Sequence, residues 1–111
     1  MTYKDVKNMV AGIGLPYAYR QFPENTGQAC PFLCWFFTTS NDLAAENTNW
    51  QKIRTLAIEL YTDAKDFLLE ERIEDALNAA GLVYYREESW LDSEKMNMVS
   101  YETDILITKE T

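Results

Sequence analysis

This sequence predicts an α+β fold: a mainly antiparallel sheet of about five strands with two helices on one face. Three observations predict it. Two segments carry apolar residues at helical spacing and close on glycine. Five segments are strand-sized runs rich in aromatic and β-branched residues. The order α-β-β-β-α-β-β makes most strands neighbours in sequence, so they pair with each other while the helices cover one side.

The first helix runs from Lys4 to Ile13, with Val6, Met9, Val10 and Ile13 on one stripe. Thr2 or Asp5 is placed to cap it, and Gly12, Gly14 and Pro16 end it. Gly12-Ile13-Gly14 is no dinucleotide fingerprint, because Tyr17 stands where the third glycine belongs and no strand precedes it. Tyr17 to Phe22 reads as a short strand and Pro23 to Pro31 as a loop. Phe32 to Thr39 is the most apolar strand; it lacks alternation, so both its faces are expected to be covered. A helix of its own chain and a neighbouring chain are the candidate covers. Ser40 to Asn49 is polar and turn-rich. Gln51 to Thr62 is a long strand with Leu56, Ile58 and Leu60 on one face; Trp50, Lys52 and Arg54 continue that face, so this end is expected to project from the core.

Asp63 is the expected cap of the second helix, whose carboxylates Asp66, Glu70 and Glu71 suit the positive end of the helix dipole. Phe67 or Leu69, then Ile73, Ala76, Leu77 and Ala80, form its buried stripe, and Gly81 closes it. Leu82 to Trp90 and Met96 to Ile107 read as two strands joined by Leu91 to Lys95, with Val99, Tyr101, Ile105 and Ile107 on one face.

The 111 residues fit a single domain, 1–111, able to bury roughly 65% of its unfolded surface and so to hold a core without metal or disulfide. The first residues lack the apolar region of a signal peptide, and the longest apolar run, Phe32 to Phe37, falls short of a membrane helix. The expectation is a protein kept inside a cell, with no membrane partner. A net charge of −8 with ten scattered basic residues argues against nucleic-acid binding.

The chemistry-bearing residues point away from catalysis. Without histidine, Cys30, Cys34, Ser89 and Ser100 lack the usual base for a nucleophile. Cys30 and Cys34 lack two further ligands for zinc. If Cys34 lies in a strand begun near Pro31, their Cα atoms are about 13 Å apart, too far for a disulfide. They read as two thiols, with Cys34 packed as a small hydrophobe. Glu70 with Glu74, and Glu71 with Asp75, share faces of the second helix; a solvated face, an acidic contact surface and an oxygen-ligand site for Mg²⁺ or Ca²⁺ all fit that spacing. The expectation is no enzyme, no cofactor and no metal. Trp50, Trp90 and Asp42 are the candidate interface residues: tryptophan is enriched at interfaces, and open sheet edges offer backbone to another chain.

The stretch Phe36-Phe37-Thr38-Thr39-Ser40-Asn41-Asp42-Leu43-Ala44-Ala45-Glu46-Asn47, then Trp50, then Leu56 to Asp66, resembles the tail-completion, or tail-to-head joining, proteins of long-tailed phages and prophages of Gram-positive bacteria. These are related to tail terminators. The element order resembles theirs over most of the chain. The resemblance implies a virion structural protein without an active site, made in the host bacterial cytoplasm. It implies a ring, commonly a hexamer, at the head-proximal end of the tail. Its partners would be further copies of itself, the tail tube and the head connector, and the acidity would suit a lumen through which DNA slides. A cytoplasmic adaptor or regulatory domain that binds a protein partner is the alternative reading.

Overall fold

The computed structural model describes residues 1–22, 27–40, 43–45 and 48–109, with side-chain surroundings given outside 39–51. Two helices, α1 (Tyr3–Gly12) and α2 (Phe67–Ala79), accompany strands β1 (Tyr17–Tyr19), β2 (Phe32–Ser40), β3 (Leu43–Ala45), β4 (Thr48–Thr62), β5 (Tyr84–Leu91) and β6 (Met96–Ile107). The sheet order is β1-β2-β4-β6-β5, with β3 paired to the far end of β4.

Thr2 starts α1. Its hydroxyl accepts from the Asp5 N–H at 3.1 Å, and the Asp5 carboxylate accepts from the Thr2 N–H at 2.9 Å. The Thr2 amide, then its hydroxyl, hold the Asp5 carboxyl below its usual range. Helix α1 gives way at Gly14, whose φ of +87° lies in the left-handed region that favours glycine. The Arg72 guanidinium of α2 donates to the Ile13 carbonyl beside it, tying the helices together.

Helix α2 is capped by Asp66, which accepts from the Leu69 N–H at 3.1 Å, and not by Asp63. The later start leaves Phe67 at the first helical position, 69% exposed. Leu69, Ile73, Ala76 and Leu77 supply the inward stripe, and Ala80 is exposed.

The register sorts the side chains into two faces. Leu33, Leu60 and Val99 form one row; Trp35, Ile58 and Tyr101 form the next. All six are buried in one core with Val6 and Val10 of α1 and Ile73 and Leu77 of α2, so both helices lie on the same face. Contacts place α1 toward β2, through Tyr3 on Phe37, and α2 toward β5 and β6.

The sheet is mainly antiparallel, as expected, with one parallel pair, β1 beside β2. Two expectations need correction. β1 ends early, at Tyr19, where Arg20 takes a φ of 68°. The segment expected to be turn-rich contains β3, which pairs Leu43, Ala44 and Ala45 with Gln51, Asn49 and Thr48. That makes the order α-β-β-β-β-α-β-β and lengthens β4 to fifteen residues. As expected, the start of β4 projects: β2 and β6 pair it only from Arg54 and Lys52 onward.

Candidate functional site

Among the described residues, no group of three or more His, Cys, Asp or Glu is placed to hold a metal ion. The most organised polar cluster lies between α2 and β5. Glu70, 4% exposed, accepts from Lys65 Nζ at 2.9 Å and from the Arg86 guanidinium. Its second oxygen sits 2.7 Å from the same ammonium without a hydrogen bond of its own. Lys65 also donates to Glu88 at 3.0 Å, and Asn97 donates to the other Glu88 oxygen at 3.2 Å. The Tyr101 hydroxyl donates to Glu74 at 2.7 Å.

Electrostatics follow these contacts. Hydrogen bonds from Lys65 and then Asn97 lower the Glu88 pKa. Desolvation works against the Lys65 ammonium, but Glu70 and Glu88 outweigh it and raise its pKa. The Arg86 pKa is raised, chiefly by Glu70. The cluster sets two cations, Lys65 and Arg86, among three carboxylates, Glu70, Glu74 and Glu88, and pins α2 to the sheet. Of the two carboxylate pairs read from the helix spacing, Glu70 is therefore a buried anchor, whereas Glu71 and Asp75 are exposed.

The face opposite the helices carries Cys34, Glu59, Ser100 and Glu87 in one row and Phe36, Ala57, Glu102 and Tyr85 in the next; Cys34 and Ala57 are buried, while Glu87, Glu102 and Tyr85 are exposed. A depression of about 430 Å³ lies beside Phe22, Phe32, Tyr61 and Met96, and one of about 780 Å³ beside Thr38, Val83, Tyr85 and Asp104. Both cysteines are free. Burial, then the Glu59 carboxylate, push the Cys34 thiol up to about 11; burial, then Asp63, raise Cys30. Both sulfurs are thus protonated at neutral pH, the unreactive form.

Among the described residues, most exposed large apolar side chains belong to the two sides of the sheet: Tyr17 and Tyr19 on β1, and Phe67, Leu68, Val83, Tyr85 and Trp90 on or beside α2 and β5. Tyr3 lies beside Lys52, Ile107 and Lys109, near the projecting end of β4, and Leu106 lies on β6. The candidate interface residues do not converge. Asp42 lies outside the described residues. Trp50 has its backbone in the projecting end of β4, with its side chain outside the described set. Trp90 is 53% exposed on β5, opposite Asn97, whose partner on β4 is Thr62. About 40 Å of strand separates Trp50 from that position. Leu68, Val83 and Tyr85 are exposed positions that the sequence did not single out; of the alternatives Phe67 and Leu69 for the buried stripe, Leu69 packs against the core and Phe67 is exposed.

No helix among the described residues is long and apolar enough to cross a membrane. No protein-family model matches the chain, and no curated protein matches it. Its fold is similar to a chain in a solved structure described as the virion of a native gene transfer agent (GTA) particle. The TM-score is 0.57 and the identity 13%, over 94% of this chain and 90% of that one.

Proposed function

We propose that this chain is a non-catalytic structural subunit of a phage-like particle. It acts at the head-proximal end of the tail, completing the tail and joining it to the head connector as a ring. The carrying observation is the fold shared, over nearly its full length, with a chain of a GTA virion. The resemblance of Phe36–Asp66 to tail-completion proteins supports the finer placement. The geometry is consistent with both: apolar side chains are exposed on opposite flanks, as repeated contacts between copies require, and neither thiol is activated. In the assembled particle the chain contacts further copies of itself, the tail tube and the head connector. Deleting the gene is expected to leave DNA-filled heads and separate tails in the lysate; joined, infectious particles after deletion would overturn the proposal.

A further inference from the structure

The two flanks of the sheet differ in charge. Residues 1–22, which form α1 and β1, carry three basic side chains against one carboxylate. Residues 63–91, which form α2 and β5, carry eight carboxylates against three basic side chains. Among exposed side chains, the first carries Lys4, Lys7 and Arg20 against Asp5, and the second carries Asp63, Glu71, Asp75, Glu87 and Glu88 against Lys65, Arg72 and Arg86. The same flanks hold seven of the nine large apolar side chains exposed among the described residues. Each flank thus combines aromatic contact area with one dominant sign of charge, and the two signs are opposite.

We infer that the acidic α2/β5 flank of one copy docks on the basic α1/β1 flank of the next, so that copies associate head to tail. This rests on the reading of the chain as a self-assembling subunit and names the surfaces that such an assembly uses. The occupant follows from charge. Two acidic flanks brought together oppose carboxylates with carboxylates, and two basic flanks repel likewise, so two-fold pairing through either flank is disfavoured. Unlike flanks attract, and a contact between two different patches of one molecule is heterologous; it generates a ring if the rotation closes and a filament if it does not. Tyr17 and Tyr19, on the helix side of β1, then meet Phe67 and Trp90, on the helix side of the other flank, an aromatic pairing of the kind that anchors interfaces. The Glu70–Arg86–Lys65 cluster holds α2 against β5, so the acidic flank is one rigid surface.

The test is charge reversal on exposed residues. One variant carries Lys4→Glu with Lys7→Glu; the other carries Glu71→Lys with Glu87→Lys. Circular dichroism checks that both are folded, and sedimentation at low salt, up to millimolar protein, reads association. The native chain is expected to associate, and to do so less as salt screens the charges. Each variant alone opposes like charges and should associate about tenfold or more weakly. An equimolar mixture of the two re-pairs opposite charges at both contacts and should recover association. A native chain that stays monomeric throughout overturns the inference, as does unchanged association of either variant or a mixture no better than its parts. Association through a different surface, or capture only by a foreign basic protein, also counts against it. The outcome is separable from the tail reading: failed docking with a head-and-tail deletion phenotype removes only this contact, whereas docking without that phenotype removes only the tail assignment.

Discussion

On the helix-covered face, β2, β4 and β6 set Trp35, Ile58 and Tyr101 side by side; one residue along, on the opposite face, the same strands set Phe36, Ala57 and Glu102. The first row is sealed under α1 and α2, while Glu102 stands in solvent. Charge is divided in the same way. By strand alternation, every charged residue that the described strands place on the opposite face is a carboxylate: Glu59, Glu87, Glu102 and Asp104. The basic strand residues Lys52, Arg54 and Arg86 all lie on the covered side. The helix-covered face therefore holds most of the core, while the other adds only the buried Cys34 and Ala57 and carries Arg20 over Phe36 beside its carboxylates.

The sharpest break of that comparison is a pair of truncations. Ile58→Ala empties a site that is 1% exposed and is expected to cost about 2–5 kcal/mol in urea denaturation. Glu102→Ala, the neighbour of Tyr101 on the other face, should change stability by only about 0.5 kcal/mol or less. Equal costs would end the division of labour. A smaller effect is expected at the covered face's polar edge. Arg86→Met leaves the buried Glu70 with Lys65 alone. Removing one partner of a buried pair destabilises, but Arg86 is a third exposed and one cation remains, so the loss should be about 1–2 kcal/mol. A neutral result would mean that the cluster does not pin α2.

The smallest effect concerns acid. The Asp5 and Glu88 carboxyls titrate below their ordinary values of 3.8 and 4.5 in the folded chain, so at acid pH the unfolded chain binds more protons. Their stabilisation is complete above about pH 4.5 and is lost as pH falls through the folded-state values. The double variant Asp5→Asn, Glu88→Gln should lose stability less steeply on acidification than the native chain. An identical slope would remove these two groups from the account.

Much of the fold was legible because local physics decides it. The stripe Val6, Val10, Ile13, the capping pair Thr2 and Asp5, and the alternation of Val99, Tyr101, Ile105 and Ile107 need only neighbouring residues. The direction of β1 was not legible, since nothing in Tyr17-Ala18-Tyr19 states which way the strand runs against β2. The burial of Glu70 was hidden for a similar reason: its partner Arg86 is sixteen residues away and meets it only after β5 pairs with β6. The candidate surface was the least legible part. Tryptophan content drew attention to Trp50 and Trp90, which the sheet holds at opposite ends. The sorting of charge and exposed aromatics onto two flanks emerges only when strand order is known.

The central claim, a structural subunit that joins tail to head, is tested most directly by electron microscopy of lysates from a phage or prophage lacking this gene. The account predicts filled heads and finished but unattached tails, with joining restored when the chain is supplied from a plasmid. Intact, infectious particles without it would contradict the account.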